Sequence, residues 1–209
     1  MATLGERLWE PDDDYLRRAR VTGYMRWLKD TRGMELNSYH DLWRWSVSDL
    51  DGFWRTIWQY CGPGDGLPEG PLLVNAKMPG AVWCPGMRVN FASYLLQQGQ
   101  DDKVAIHFFS ETRAPGQMTW GELRRQVVSV ARGLRDMGVE PGDRVAAFVP
   151  NTPEAVVALL ATTLIGGVWS SCSPDFGVNS ALDRFRQIEP KVLIAVDGYS
   201  YGGKVFDRR

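Results

Sequence analysis

Histidine and cysteine are scarce in this chain. Its 209 residues include two histidines, His40 and His107, and three cysteines, Cys61, Cys84 and Cys172. Two histidines cannot build a metal cluster, and no cysteine pair has zinc-ligand spacing. An odd number of well-separated cysteines argues against a disulfide framework, so a reducing compartment is the natural home. Structural roles are expected for both histidines, although either could serve as a lone base. An excess of one charge sign is also lacking. With 24 basic against 25 acidic side chains, the net charge is -1, and the basic surplus typical of nucleic-acid binders is absent. Long apolar runs are missing too. The longest, Ala155 to Trp169, is interrupted by Thr162, Thr163, Gly166 and Gly167 and falls short of the roughly 20 residues needed to cross a bilayer. The opening MATLGERLWEPDDD has no apolar core of a secretory signal. A soluble, cytoplasmic protein is expected. No G-x-G-x-x-G follows a strand, no G-x-S-x-G elbow occurs, and there is no internal repeat.

Two regions differ in composition. Residues 1 to about 100 hold seven of the nine tryptophans together with many Pro-Gly breaks, and residues 101–209 alternate strand and helix signals. In the first region, Tyr15 to Leu28 carries an apolar stripe at helical spacing. Ser48 is a candidate N-cap, with Asp51 favourable in the first turn, for a helix whose Phe53, Trp54, Ile57 and Trp58 share a face. These rings are read as packing rather than as a sugar- or base-stacking platform. GPGDGLPEGP, residues 62–71, reads as loop.

The second region is more legible. Val104 to Phe109 is an apolar run of strand length, and a brief strand follows into Thr119. Thr119-x-x-Glu122 is a capping box, and its helix ends at Gly138. Arg144 to Val149 is a strand. Thr152 then caps a helix with Pro153 in its first position. Val168 to Cys172 is a strand, Ser180 opens a helix that stops near Glu189-Pro190, and Lys191 to Val196 is the last strand. This alternation predicts an α/β protein with a parallel sheet of four strands. In such sheets ligands gather beyond the carboxyl ends of the strands, which singles out Pro150-Asn151, Ser173 to Gly177, and Asp197 to Lys204. Cys172 is expected to be a small half-buried residue rather than a nucleophile.

The stretch VLIAVDGYSYGGKV, residues 192–205, tests one phosphate-binding motif directly. Gly198 and Gly203-Lys204 fit the first seven positions of G-x-x-x-x-G-K-[ST], but Val205 stands where magnesium needs a hydroxyl. No helix can follow in FDRR to aim its N-terminus at a phosphate. A glycine turn at a strand end is the preferred reading, with Lys204 surviving as a point charge for some phosphate.

RLWEP, YMRWL, HDLWRWSVSDLDGFWRTIW, MPGAVWCPGMRVNFASYLL, MTWGELRRQVVSVARGLRDMGVEPGDRVAAFVPNTPEAVVALLATTLIGGVWSSCSPDFG and LDRFRQIEPKVLIAVDGYSYGGKVFDRR together resemble the N-terminal part of the acetoacetyl-CoA synthetases, a branch of the adenylate-forming acyl-CoA synthetases. TWGEL and VEPGDRVAAFVPN are shared across that superfamily, whereas SPDFG, YGGK and the LWEP start point to the acetoacetate branch. The resemblance implies a Trp-rich N-terminal cap region, residues 1–100, followed by the first part of an AMP-binding α/β domain, residues 101–209. It also implies a ligase that uses ATP and Mg²⁺ to join acetoacetate to AMP and then passes the acyl group to CoA. The logic is that a carboxylate oxygen cannot leave until a mixed anhydride gives it a stabilised leaving group, so catalysis is positioning and charge stabilisation. The family's Ser/Thr/Gly-rich loop ending in Pro-Lys, its Tyr-Gly-x-Thr-Glu stretch, its ribose-binding Asp and its catalytic C-terminal lysine do not occur here. The expectation is therefore a portion that is inactive alone and holds no catalytic residue or metal ligand. Carried over by resemblance are Lys204 against a CoA phosphate, with Phe176 and Gly177 beside the CoA entrance. A fragment of an acetate or propionate synthetase, or a non-catalytic CoA- or nucleotide-binding module, remains open, as does the oligomeric state.

Overall fold

The computed structural model describes residues 5–62 and 66–209, and the chain divides into two compact units, Met1–Arg88 and Val89–Arg209. The first unit holds helices α1 (Asp13–Arg18), α2 (Arg20–Arg32), α3 (Tyr39–Ser48) and α4 (Leu50–Cys61), then strands β1 (Leu73–Asn75) and β2 (Val82–Trp83), which pair antiparallel. The single helix expected over Tyr15 to Leu28 is two. Ala19 is extended (φ -61°, ψ 133°), and its N–H is taken by the carbonyls of Tyr15 and Leu16. No glycine or proline marks this break. Instead Asp12 caps Tyr15 N at 2.7 Å and closes a short turn of its own. The expected cap at Ser48 is also displaced. Ser48 ends α3, and Asp49 caps α4 by accepting from Gly52 N at 2.9 Å; the carboxylate outcompetes the neighbouring hydroxyl for that N–H.

Tyr24, Leu28 and Leu42 form the buried centre of this unit, with Trp27, Trp45, Phe53 and Ile57 packed against it. Phe53 meets Trp45 edge-on at 5.6 Å and Tyr24 at 6.4 Å, contacts worth about 0.5–1.5 kcal/mol each beyond area burial. The Tyr24 hydroxyl bonds Thr56 Oγ1 at 2.6 Å, and burial pushes the phenol above its ordinary value. Packing thus accounts for Phe53 and Ile57, while Trp54 is 46% exposed and lies edge-on to Trp83. Of the expected 62–71 loop, residues 63–65 lie outside the described residues. Residues 66–71 have no regular structure, and Arg55 holds them by donating to the carbonyls of Pro68 and Gly70.

The second unit opens with α5 (Phe91–Leu96), whose Ala92 and Leu96 join its core. Then come β3 (Val104–Phe108), β4 (Gly116–Thr119), α6 (Trp120–Asp136), β5 (Arg144–Phe148), α7 (Pro153–Leu164), β6 (Val168–Cys172), α8 (Val178–Ile188), β7 (Val192–Ala195), β8 (Gly198–Tyr201) and β9 (Lys204–Asp207). The capping box of α6 is complete, with Glu122 N donating to Thr119 Oγ1 and Thr119 N to Glu122 Oε2. Thr152 occupies the N-cap position of α7, but its hydroxyl does not cap the helix. Likewise α8 starts two residues before Ser180, after Gly177.

The parallel sheet has three strands, not four, in the order β6-β5-β7. The run expected as its first member, β3, pairs antiparallel with β4 instead, because only a short turn separates them and a parallel partner needs a long crossover. Central β5 is apolar and small. Val145, Ala146 and Ala147 are fully buried, and Leu123, Val127 and Leu134 of α6 and Val157, Leu160 and Ala161 of α7 complete the core. Two long-range caps lock the layers. Arg144 of β5 donates to the carbonyls of Ile188 and Glu189 at the end of α8. Asn90 caps α5 through Ser93 N while donating to the carbonyls of Thr163 and Leu164 at the end of α7.

Candidate functional site

Strand order fixes where a crevice must open. From β5 the chain steps to β6 on one side, then crosses to β7 on the other, so neighbouring connections diverge between β5 and β7. In open parallel sheets the ligand crevice lies at such a switch point, beyond the strands' carboxyl ends. A cavity of about 530 Å³ occupies that place. Val149 to Asn151 line it from the end of β5, Thr152 to Ala155 from the start of α7, Ala195 to Ser200 from the end of β7, and Phe108 to Arg113 from the β3–β4 connection. Of the three loops expected at this edge, Pro150-Asn151 and the first part of Asp197 to Lys204 contribute. Ser173 to Gly177 does not line the cavity, because β6 lies on the outer side of the switch point.

The cavity wall is acidic. Glu111, Glu154 and Asp197 line it together with Arg113, whose guanidinium is already paired with Glu154 at 2.7 Å. Burial pushes the Glu154 carboxyl up, but the bonds from Arg113, its own N–H and Thr152 outweigh it and hold the group below 4.5. Such a wall suits an aromatic or hydroxylated group better than a polyphosphate, which would meet net negative charge. Among the described residues no group of three or more His, Cys, Asp and Glu is placed to hold a metal ion.

Lys204, Phe176 and Gly177 lie outside this cavity. β8 and β9 form a hairpin with Tyr201 opposite Lys204 and Gly198 opposite Asp207. Gly202 and Gly203 make its two-residue turn with φ 58° and 72°, the left-handed pair that a tight hairpin requires. The preferred sequence reading of a glycine turn holds, and the motif is a hairpin tip rather than a P-loop. Among the described residues the Lys204 ammonium is exposed and makes no hydrogen bond or ion pair, so it fits a point contact with an external anion. Phe176 lies in the turn after β6 with the Arg184 guanidinium 5.0 Å above its ring. Gly177 immediately precedes α8, with open space where a side chain would begin.

The hairpin and the 173–177 turn are joined at the hairpin's base. Arg208 Nε donates to the carbonyl of buried Pro174 at 2.8 Å, and its guanidinium lies over Tyr199 at 5.4 Å. Lys204 is at the other end of β9, four residues and about 13 Å along the strand. The structure therefore brings the 173–177 turn to the base of the hairpin and leaves Lys204 at the tip. Sequence reasoning missed Arg208 and Glu111; both are ordinary surface residues whose partners lie 34 and about 90 positions away. Cys172 is buried, and none of the three cysteines forms a disulfide. His40 stacks on Trp43 at 5.2 Å. No helix among the described residues is long and apolar enough to cross a membrane.

Known proteins share this arrangement. Acetoacetyl-CoA synthetase from Streptomyces lividans superposes with a TM-score of 0.91 at 47% identity, over 97% of this chain and 32% of that one. The acetoacetyl-coenzyme A synthetase of Rhizobium meliloti (strain 1021) is 40% identical over 198 residues, and that of Danio rerio 40% over 204 residues. These alignments cover 94% and 96% of this chain, which spans about 30% of the length of either relative. The profile of the AMP-binding enzyme family matches residues 96–206, more than half of the chain and nearly all of the second unit. The chain belongs to the AMP-binding enzyme family.

Proposed function

We propose that this chain is the N-terminal portion of an ATP-dependent acetoacetate–CoA ligase, which converts acetoacetate, ATP and CoA to acetoacetyl-CoA, AMP and pyrophosphate with Mg²⁺. The observation that carries the reading is the near-complete superposition on an acetoacetyl-CoA synthetase at 47% identity, which runs through both units rather than through the AMP-binding region alone. Residues 1–100 would form the cap region and residues 101–209 the first part of the nucleotide-binding α/β domain. The unpaired Lys204 ammonium would hold a CoA phosphate, with Phe176 and Gly177 beside the CoA entrance. The separated cysteines, none of them in a disulfide, support a cytoplasmic location.

Within this chain the residues position rather than react. The acidic cavity wall leaves the polyphosphate to groups elsewhere in the complete protein. Lys204 gives CoA a charge to dock on without touching the first half-reaction. The test is ATP–pyrophosphate exchange by the complete gene product with acetoacetate, acetate or propionate, followed by thioester formation with CoA. Acetoacetate-dependent exchange is expected, and none from residues 1–209 alone. Preference for acetate or propionate would overturn the substrate. CoA binding by the complete product without any exchange would overturn the enzyme in favour of a binding module. Lys204→Ala should raise the apparent KM for CoA and leave exchange intact; an unchanged CoA dependence removes Lys204 from the site.

A further inference from the structure

The tip of the β8–β9 hairpin is not empty of charge. Two successive left-handed glycines turn their N–H groups to the same side and make a concavity that favours an anion. In this protein the anion is its own. Gly202 N and Gly203 N donate to Glu111 Oε1 and Oε2, each at 3.1 Å. One N–H per carboxylate oxygen fixes the orientation of the pair as well as its distance, and bonds to an ionised acceptor are stronger than neutral ones. A two-stranded hairpin alone is marginally stable in water, so its position depends on anchors. Arg208 holds the base. Glu111, from the β3–β4 connection, holds the tip.

We propose that Glu111 is a positioning residue: by clamping the Gly202–Gly203 turn it fixes where the adjoining Lys204 presents its charge to a phosphate. This rests on the reading of Lys204 as a phosphate contact. The carboxylate also lowers the local potential, but both of its oxygens are engaged by N–H donors. The larger consequence of removing it is a tip free to move and a lysine whose charge is no longer pre-placed.

The experiment uses the complete gene product and two readouts, the KM for CoA in thioester formation and ATP–pyrophosphate exchange without CoA. Glu111→Ala is expected to raise the KM for CoA about 3- to 10-fold, a larger factor than any change in exchange, which it can also touch because Glu111 lines the cavity. Glu111→Gln should have a smaller effect, since one amide oxygen still accepts while the NH₂ faces the other glycine N–H. In a Lys204→Ala background, Glu111→Ala should add less than about twofold, because the clamp acts through the lysine. A rise for Lys204→Ala without one for Glu111→Ala overturns the clamp and leaves the phosphate reading standing, as does a fully additive pair. A fall in KM for Glu111→Ala makes Glu111 a competitor of the ligand and also overturns the clamp. Should Lys204→Ala leave CoA untouched, the phosphate reading fails. The clamp is then decided by hydrogen exchange at Gly202 and Gly203, which must accelerate in Glu111→Ala.

Discussion

Thr162 offers a sharp test of how this core is held. It lies in α7 with no solvent exposure, and its Oγ1 has no hydrogen-bond partner among the described residues. A buried hydroxyl without a partner costs about 1–3 kcal/mol. Thr162→Val keeps the β-branched shape and replaces the orphaned oxygen with a methyl group. Helix propensity changes little, since both residues are β-branched. A methyl group is bulkier than the hydroxyl it replaces in a fully buried site, so part of the gain is lost to crowding, and the net stabilisation is expected at about 1–2 kcal/mol. That is a rise of about 2–8 °C in Tm for a chain of this size. The adjacent Thr163 is the control. Its hydroxyl donates to the carbonyls of Leu159 at 2.8 Å and Leu160 at 3.3 Å, so Thr163→Val should be neutral or destabilising by up to about 1 kcal/mol. Urea titrations of both variants, with m unchanged, read the two signs. Destabilisation by Thr162→Val would show that its hydroxyl is satisfied in solution and would refute the reasoning.

Asn90→Ala removes the cap of α5 and both donors to the end of α7, and should cost about 2–3 kcal/mol in urea unfolding; a loss below about 0.5 kcal/mol would deny that it joins the two helices. Asp143 gives a pH dependence. The bond from Lys191 at 2.8 Å, then that from Glu140 N, hold its carboxyl below 3.8. A lowered acid contributes stability that is present above the ordinary value and is lost as pH falls through the lower folded one. The urea midpoint should therefore drop on acidification below about pH 4, and less steeply in Asp143→Asn.

Elements with local instructions were legible in the sequence. Thr119 and Glu122 carry their own cap, and Pro153 and Gly138 mark where helices begin and end. The break at Ala19 was not, since it follows from Asp12 closing a separate turn and from packing around Tyr24 and Leu28. The pairing of β3 was misassigned because an apolar run does not name its partner. The switch point depends on the lateral order of β5, β6 and β7, which no local period encodes. The site followed the same division. The glycine turn was readable from residues 198–204, while the Glu111 clamp joins an exposed acid to two amides about 90 positions on and leaves no pattern in either stretch.

The bond from Arg208 to Pro174 has a mechanical consequence. It ties the far end of β9 to the segment that launches α8 without passing through the sheet, so the hairpin's base and the start of that helix share one anchor outside the strand ladder.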